Sequence, residues 1–565
     1  MQKRIILILI ITFLIGFLLR FYALGEIPNG MYQDETAIGY NAYSILQTGK
    51  DEYGEFLPVY FKSFGDYKLP VYIYSTVLSV AVFGLTNFAV RFPSALFGFL
   101  TLLVFFPFMK VVTKNTTYAL LATILLAVTP WHLHYNRATF EISISLFLYI
   151  TGSFLLSKGL RENKVYLFLL GTLLFGINIY TYNLTRILSP LLYIIILMLE
   201  RKHAKRVSKS TLGATFFVGV LLLLPLIVTI FTAGGAQSAS GTLIWSSAPV
   251  QAQLLEFRSY ILYMPSLVQK LFFSLPLLTV WQFFVNAASY LSASFFFLTG
   301  SPHGNHGIGT VGQFYLFMLP FFFIGFFAAL QRRLEGAVFF LITGAAVVTV
   351  ASLTRESPHA TRSFLLIPSF LYFISVGFWE SYHFVLRIRN SIARNGVFVL
   401  GGFFIAFNIL YYLVSYYVRF PVAYAPMWRS EDKKLAAFIK ENERDYKKII
   451  IDESTGFLYT SLLYYLRYPP QEFQRSVVRA PDDSEGFSKV RSFGKFVFKD
   501  VDWVKDMKQY DILIISTRKQ LPGGVQVLAE FLYPKRPVVL SVGQDIVQFP
   551  VEDPAYVVFA TNEKQ

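Results

Sequence analysis

The sequence predicts an all-α polytopic membrane protein, with about 11–13 transmembrane helices and a small extracytoplasmic α/β domain at its C-terminal end. Three observations predict this class. Of the 565 residues, 55% are hydrophobic, 18% aromatic and only 15% charged, with a mean hydropathy of +0.51, which is unlike a soluble domain. Apolar runs long enough to cross a bilayer recur up to about residue 418. Charged stretches alternate with short strand-like runs after that point.

The first predicted span opens the chain. The segment "MQKRIILILIITFLIGFLLRFYALG" has a basic start followed by a long apolar run. No small-residue cleavage site follows this run, so we expect a retained span rather than a signal peptide.

Basic loops between the apolar runs orient the spans. Loops rich in Lys and Arg lie on the cytoplasmic side of membrane proteins, and this applies to residues 110–114, 157–164, 200–209, 331–333 and 387–394. Because successive spans cross the membrane in opposite directions, the other loops and the C-terminal domain are expected on the outer side. These loops are the segments 25–69, 134–141, 181–186, 234–312 and 355–362. Because the basic loops also account for much of the net charge of +16, this charge indicates a lipid bilayer as partner and no nucleic acid.

Four segments leave details of the topology or of a loop open. Residues 70–86 and 91–109 are both apolar, although the loop charges allow only an odd number of crossings between residues 69 and 110. Either one of these runs does not fully span, or the segment 110–114 lies outside. Residues 268–299 are expected to form a hairpin or an interfacial segment. The stretch "GGAQSASG" (234–241) lacks the Lys-Ser or Lys-Thr of a phosphate-binding loop and is expected to be a mobile outer loop.

The composition changes after residue 425. The short β-like runs "KKIIID", "DILIIS", "PVVLSV" and "DIVQFP" alternate there with charged helical stretches. We therefore predict a transmembrane domain over residues 1–425 and a soluble α/β domain over residues 426–565. The chain has no cysteine, which excludes disulfide bonds and thiolate chemistry.

The predicted first outer loop, residues 25–69, is strongly acidic. It sets Asp34 beside Glu35 in "QDE" shortly after the first span. Charge next to a bilayer is costly, so a polar cluster at one level predicts a functional site. The alternative is a solvated loop whose acids merely avoid the basic inner side. Its acids outnumber its lysines: Glu26, Asp34, Glu35, Asp51, Glu52, Glu55 and Asp66 against Lys50, Lys62 and Lys68.

Other polar residues on the predicted outer side accompany this loop. Asp66 and Lys68 lie in "GDYKLPVYIY", just before the next apolar run. Arg137 and Glu141 are four residues apart and would share one face of a helix if the segment is helical. Further along the chain, "RESPHATR" begins with Arg355 and ends with Arg362.

With these features the chain resembles the GT-C superfamily of membrane glycosyltransferases, near the dolichyl-phosphate-mannose protein mannosyltransferases and the lipid A aminoarabinose transferases. The resemblance covers the layout of the whole chain, including the acid after the first span, the Lys-x-Pro before the second, and the "YAPMWRSEDKKLAAFI" passage into the C-terminal domain. Two positions depart from the pattern. "KLP" stands where members often have Lys-Pro-Pro, and Glu141 stands where they often have Asp.

The resemblance implies an enzyme that uses a sugar carried on a polyprenyl phosphate. An acceptor hydroxyl would attack the anomeric carbon with inversion, and Asp34 would take its proton as general base. Glu35 would share the catalytic site and orient the loop or the acceptor. Cations would stabilise the departing lipid phosphate. The candidates for the donor site are Lys68, Asp66, Arg137, Glu141, Arg355 and Arg362.

Each of these residues also has an ordinary structural interpretation. Lys68, Arg355 and Arg362 would be interfacial anchors at helix ends, and Asp34 would be a loop acid or a helix cap.

A divalent metal is a further candidate, although no cofactor is certain from the sequence. His303 and His306 lie in "SPHGNHG", and His359 lies in "SPHATR"; with a carboxylate such as Asp66 they would form a metal site. The alternative is that these are ordinary polar loop residues, because they lack the helical spacing of paired ligands.

Two other functions stay open beside the glycosyltransferase. A transporter or flippase of lipid-linked sugars would need polar residues near the membrane midplane in two related halves, whereas the polar residues here lie at one rim. An envelope oligosaccharide ligase or polymerase would need the same carboxylate and cations, so the sequence distinguishes it poorly from the glycosyltransferase. We predict a glycosyltransferase of the cell membrane that acts at the extracytoplasmic face on a protein, lipid or envelope-glycan acceptor.

Overall fold

The computed structural model describes residues 2–64, 66–231, 243–246, 248–301, 303–482, 488–517, 527–542, 545–551 and 553–561. Two units divide the chain, here called the helical unit and the mixed unit. The helical unit comprises Met1–Tyr22, Ser94–Asn136 and Phe140–Leu413, and the mixed unit comprises Ala23–Pro93, Arg137–Thr139 and Val414–Gln565. The first loop therefore shares a unit with the C-terminal domain, and the predicted boundary at residue 425 stays a prediction.

Apolar helices make up most of the chain. In the described residues, six helical stretches are long and apolar enough to cross a membrane: Gln2–Phe21, Asn87–Thr113, Ile142–Glu162, Ser266–Leu298, Phe364–Leu386 and Ser391–Ala423. Shorter apolar helices are Pro70–Phe83, Thr116–Val128, Val165–Asn178, Thr185–Leu199, Met318–Gln331 and Ala337–Ser352, together with the longer element Lys209–Phe231, which is apolar to Pro225. The remaining helices outside the C-terminal domain are Gln33–Thr48, Pro130–Tyr135, Arg201–Ala204 and Ala248–Tyr260. The predicted all-α polytopic architecture is confirmed.

Two segments with open predictions have different outcomes. The segment 268–299 is part of an interrupted helical stretch, with helices Ser266–Phe272 and Leu275–Ser289 followed by a π-helical turn at Ser294–Leu298. The segment 234–241, predicted as a mobile outer loop, lies outside the described residues.

Two glycines allow a close helix crossing in the helical unit to form. A Cβ built on Gly325 would lie 1.8 Å from Phe373 O, and one built on Gly377 would lie 1.8 Å from Phe321 O. The helices that carry these residues therefore touch through their backbones, which is the packing that small residues permit between membrane helices. Any larger side chain at either position would push the two helices apart.

The helix Pro70–Phe83 lies across the start of the next helix. The Tyr72 hydroxyl donates to Val90 O at 3.1 Å, and the Ser79 hydroxyl donates to Ala89 O at 2.5 Å. Two residues about 10 Å apart on one helix thus contact a single turn of the other. In a hairpin of two antiparallel spans, residues further from the connection on one helix would instead contact residues further from the connection on the other. With 14 residues, or about 21 Å, the helix is also shorter than the roughly 30 Å hydrocarbon core. This geometry favours the alternative in which the run 70–86 does not span.

The strands in the described residues all lie in the mixed unit. They are β1 (Phe61–Ser63), β2 (Asp66–Lys68), β3 (Lys448–Asp452), β4 (Val478–Arg479), β5 (Val490–Phe493), β6 (Phe496–Lys499), β7 (Ile512–Ser516), β8 (Val527–Leu532), β9 (Arg536–Val542), β10 (Asp545–Val551) and β11 (Pro554–Thr561). Across the described residues the main sheet has the order β4-β5-β6-β3-β7-β11-β8, with β3 parallel to both β6 and β7. β1 pairs with β2 and β9 with β10 in separate antiparallel ribbons.

The C-terminal α/β domain is confirmed. All four predicted β-like runs are strands, namely β3, β7, β9 and β10. β3 and β7 are continuous runs of buried Ile and Leu, as expected for parallel strands covered on both faces. The short helices of this part of the mixed unit are Phe420–Ala423, Asp432–Asn442, Leu458–Tyr465, Pro470–Ser476 and Trp503–Asp506.

The first loop is folded into this domain. Its helix, Gln33–Thr48, begins with Asp34 and Glu35 in the first turn, where the helix dipole favours acids, and ends at Gly49 with φ of 70°. Tyr40 and Phe64 belong to the same buried cluster as the residues of β3 and β7. The alternative of an ordinary solvated loop is therefore wrong.

Candidate active site

Asp34 and Lys68 form an ion pair with one exposed member. The Lys68 Nζ donates to Asp34 Oδ1 at 2.6 Å, and the exposed fractions of the side chains are 6% for Lys68 and 34% for Asp34. Both members of this open pair lie in regular secondary structure, because Asp34 is in the first turn of its helix and Lys68 ends β2. It presents a carboxylate to the surroundings with a buried ammonium group behind it.

Glu35 and Arg91 form a second pair that is completely buried. Both side chains are 0% exposed, and the contact is bidentate, with Nε to Oε1 at 2.9 Å and Nη2 to Oε2 at 2.8 Å. Thr139 adds two hydrogen bonds to Oε1, from its backbone N and its hydroxyl, each 3.0 Å long. The carboxylate of this closed pair is fully engaged, whereas that of Asp34 keeps exposed surface.

Arg91 ties the start of the first loop to the helix. Besides Glu35, its guanidinium donates to Pro28 O at 2.9 Å, to Leu24 O at 3.2 Å and to Gly30 O. All five N–H groups of the side chain thereby have an acceptor. The ring of Trp428 lies 5.8 Å from its guanidinium carbon.

Arg91 was missed in the sequence, although a signal for it exists. It is the one charged residue in the apolar run "NFAVRFPSALFGFL", and a charge inside such a run indicates a buried partner. The identity of that partner, 56 positions earlier, does not follow from the local pattern.

The turn that carries Lys68 is a short β-ribbon. Lys68 pairs with Phe61 across β1 and β2, and its Nζ lies 5.8 Å from the centre of the Phe64 ring. Pro70 begins the next helix two residues later. Asp66 begins β2 opposite Ser63, and its side chain lies outside what the structure describes.

Arg137 lies in the mixed unit but not on a helix. The segment 136–139 is a turn, and Glu141 precedes the helix Ile142–Glu162, so the expected helix face shared by Arg137 and Glu141 does not exist. The physical reason is that the preceding helix ends at Tyr135 with Asn136 as its C-terminal cap. Arg137 is buried, donates to Ile27 O at 3.2 Å, and stacks near Tyr416 and Tyr417 at 5.4 and 5.2 Å.

Arg355 and Arg362 lie in the helical unit, as do the histidines. Arg355 is exposed. The Arg362 guanidinium is held by its own loop, through Thr354 Oγ1 at 3.0 Å, Glu356 O at 2.9 Å and Glu356 Oε2 at 3.2 Å. This loop therefore presents one exposed and one loop-bound cation.

The histidines do not converge on a metal site. The ring centres of His306 and His359 are 4.8 Å apart and those of His303 and His306 are 6.1 Å apart. In the described part of the chain, no group of three or more His, Asp or Glu residues has the arrangement to hold a metal ion. Burial, with a contribution from neighbouring His134 and His303, lowers the pKa of His306 to about 3. The expected metal centre gains no support, and these rings pack instead around Tyr135 and Thr361.

An aromatic cavity lies in the mixed unit, next to the turn of Lys68. It has a volume of about 130 Å³. Its walls include Phe64, Phe457, Tyr459 and Phe498, and Phe64 is the ring that Lys68 approaches. Polar groups at the carboxyl end of β3, including Glu453, complete its lining. Such an edge is the usual place for a ligand in an open sheet with parallel strands.

Comparisons with known proteins fit this architecture. Residues 68–229 match the family model described as dolichyl-phosphate-mannose-protein mannosyltransferase. The structure aligns with apo ArnT from Cupriavidus metallidurans with a TM-score of 0.52 and 12% identity, over 99% of this chain and 98% of that chain. The chain has the GT-C fold. ArnT bound to undecaprenyl phosphate gives the same TM-score with 13% identity, over 99% of this chain and 98% of that chain.

The GT-C resemblance noted in the sequence is confirmed by the family model and the ArnT structures together. The oligosaccharyltransferase AglB from Archaeoglobus fulgidus is a weaker match, with a TM-score of 0.46 and 12% identity over 82% of this chain and 64% of that chain. No curated protein matches the sequence significantly.

Proposed function

We propose that this protein is a membrane glycosyltransferase that moves a sugar from a polyprenyl-phosphate donor to an extracytoplasmic acceptor, with inversion. The observation that carries the proposal is the open pair, in which a partly exposed carboxylate stands before a buried ammonium group. The GT-C fold supports it, since one of the matching ArnT structures contains undecaprenyl phosphate.

The open pair supplies the two groups that a single displacement needs. The acceptor oxygen forms a bond to the anomeric carbon while the bond from that carbon to the phosphate oxygen breaks. Asp34 takes the proton of the acceptor hydroxyl, and the electron pair leaves with the lipid phosphate. Attack opposite to the leaving group inverts the anomeric configuration.

Lys68 offsets the charge that develops on the departing phosphate. Its buried ammonium group is fixed by β2 and by Pro70, so little reorganisation is required when the phosphate approaches. Arg137, in the same unit as Lys68, is a further candidate cation for the donor phosphate, whereas Arg355, Arg362, Asp66 and Glu141 stay predictions from the sequence. Glu35 acts through the closed pair by fixing the helix that presents Asp34.

The aromatic cavity is the candidate acceptor subsite. Aromatic walls with carboxylates at the rim suit a sugar ring, whose C–H face packs on aromatic rings while its hydroxyls bond to acids. A volume of about 130 Å³ accommodates one ring. An envelope glycan is therefore the acceptor class that the cavity favours.

The test is sugar transfer by the purified protein from a series of polyprenyl-phosphate sugars to membrane glycans. Wild type is compared with Asp34→Asn, in which only the proton-accepting charge is lost. We expect the mutant's rate to fall by about two to four orders of magnitude with donor binding retained, because a general base contributes about that much.

Asp482→Asn is the matched control. Asp482 also pairs with a lysine of the first loop, Lys62, at 3.0 Å, but its side chain is 52% exposed, so its loss is expected to leave the rate unchanged. Equal transfer by wild type and Asp34→Asn would show that Asp34 is not the base. Absence of transfer from every donor would instead favour a transporter of lipid-linked sugars.

A further inference from the structure

A second cavity in the mixed unit lies where the helix Asn87–Thr113 begins. It has a volume of about 480 Å³, and neither member of the open pair lines it. Its floor is apolar, with Leu85, Phe88 and two alanines, Ala436 and Ala437. Among the described residues that line it, the charged groups are Lys433, Lys440, Arg467 and Glu26, so cations exceed acids by two.

Hydrogen bonds tie three chain segments into this cleft. The Tyr464 hydroxyl donates to Asn87 Oδ1 at 3.2 Å, and Asn87 Nδ2 donates to Gly25 O at 3.3 Å. A Cβ built on Gly25 would lie 3.3 Å from Phe88 N, so the backbones are in close contact there. The cleft is a built feature of the fold.

One helix supplies two of the cations with a fixed spacing. On Asp432–Asn442, the residues Lys433, Ala436, Ala437 and Lys440 follow the i, i+3, i+4, i+7 pattern of a single face. Both lysines are exposed. The small alanines between them leave room for a ligand that contacts both ammonium groups.

Arg467 supplies the third cation from an unusual backbone position. Its φ is 50°, in the left-handed region where glycine is favoured after a helix end. Its Nη2 donates to Leu85 O at 3.4 Å, which brings the guanidinium to the connection between the helix Pro70–Phe83 and the following span.

An exposed apolar face adjoins these cations. On the helix that crosses the start of the span, Leu78 is 71% exposed, Val82 73% and Phe83 42%. An exposed apolar face beside a cationic rim is the arrangement of an element that lies in the membrane interface. A cleft beside such a face is expected at the depth of lipid headgroups.

We propose that this cleft binds the anionic headgroup of a bilayer phospholipid. The phosphate would lie between Lys433, Lys440 and Arg467, and the start of the acyl chains would follow Leu85 and Phe88 towards the hydrocarbon region. The bound lipid fixes the mixed unit at the membrane surface. This site is independent of the proposed transfer reaction, and its test needs no enzymatic activity.

The test measures lipid retained by the purified full-length protein. The protein is reconstituted with equal amounts of phosphatidylglycerol and phosphatidylcholine, and bound lipid is quantified by native mass spectrometry. Wild type is expected to retain phosphatidylglycerol preferentially. Each Lys or Arg near an anionic headgroup contributes about fivefold in affinity, so Lys433→Gln/Lys440→Gln is expected to bind about 20- to 30-fold more weakly.

Two further variants keep the test sharp. Lys505→Gln/Lys508→Gln removes the same charge from an exposed site outside the cleft and is expected to bind like wild type. Arg467→Gly suits the left-handed backbone, and it is expected to bind about fivefold more weakly with an unchanged melting temperature.

Three results would overturn the proposal. These are equal retention of phosphatidylcholine, full displacement of the lipid by inorganic phosphate alone, and preferential occupation by polyprenyl phosphate with phosphatidylglycerol excluded. The second would assign the cleft to free phosphate, and the third would assign it to the sugar donor.

Discussion

The open and closed pairs begin from adjacent residues on one turn of helix, yet they differ in almost every physical respect. Asp34 has one described cation contact and a third of its side chain exposed, whereas Glu35 has a bidentate arginine, two hydrogen bonds from Thr139 and no exposure. A carboxylate whose hydrogen-bonding capacity is saturated holds structure. One with exposed surface is able to take part in chemistry.

Breaking the closed pair is expected to have the largest effect on stability. Glu35→Ala leaves the Arg91 charge buried without its carboxylate, which typically costs about 3–5 kcal/mol. We expect a large drop in the melting temperature of the purified protein, measured by a thermal shift assay.

The double variant Glu35→Ala/Arg91→Met tests whether the lost stability comes from the unpaired charge of Arg91. It removes both buried charges, so it is expected to recover part of the lost stability. A double variant that is less stable than wild type by the sum of the two single-variant losses would show that the two residues act independently.

Breaking the open pair from the lysine side is expected to affect catalysis. Lys68→Met keeps the aliphatic stem but removes the charge behind the phosphate, and we expect kcat to fall by about a hundredfold with little change in melting temperature. Lys68→Arg keeps the charge on a side chain of different shape, and its kcat is expected to lie between those of wild type and Lys68→Met. If Lys68→Met lowers stability and leaves kcat intact, Lys68 is an anchor rather than a catalytic cation.

Two adjacent carboxyl groups in the same loop, Asp51 and Glu52, provide a further comparison through the pH dependence of stability. Asp51 and Glu52 are buried, and this burial raises the pKa of Glu52 to about 7 and that of Asp51 to about 6, against an opposing effect of Arg479 on Glu52. Because the folded state holds these protons above the pH at which the unfolded chain loses them, the contribution of these two carboxyl groups to stability is fully present below about pH 4 and is lost as the pH rises to about 7.

The measurement is the melting temperature of wild type and Glu52→Gln between pH 5 and 8. The amide stays neutral and keeps a donor and an acceptor for Asn41, which contacts Glu52 Oε1 at 3.2 Å. The variant is expected to lose less stability than wild type over this range. Identical slopes would show that Glu52 does not titrate there.

The smallest expected effect is at the aromatic cavity. Phe457→Ala removes a wall that packs on Phe64 at 4.7 Å, and we expect the KM for a glycan acceptor to rise about five- to tenfold with kcat retained. Phe531→Ala, at a ring that packs on Phe438 and lines no part of the cavity, is the control. An unchanged KM would remove the cavity from acceptor binding and leave the proposed reaction intact.

The sequence predicts those features that depend on local chemistry. Asp34 and Lys68 were found because they lie just after and just before apolar runs, and the strands β3 and β7 because runs of Ile and Leu are typical of a buried sheet. The helix Gln33–Thr48 was not predicted as a helix, since it is buried on most sides and has no clear apolar stripe.

Local sequence patterns do not predict contacts between residues that are far apart in the chain. The pairing of Glu35 with Arg91 joins residues 56 positions apart, and the spacing of Arg137 and Glu141 predicted a shared helix face where the chain makes a turn. The cleft of the lipid proposal combines segments from both ends of the chain, and no single segment carries enough signal.

The discontinuous mixed unit sets the order in which the protein is assembled during synthesis. Glu35 meets Arg91 once the first 91 residues exist, but Thr36 needs Thr460 and Tyr40 needs Phe473. At about 5–20 residues per second, roughly 20 to 80 seconds of translation separate these events. The helix that presents Asp34 therefore waits for the last quarter of the chain to complete its packing, and until then the open pair, the closed pair and the Thr139 hydrogen bonds are contacts that hold it.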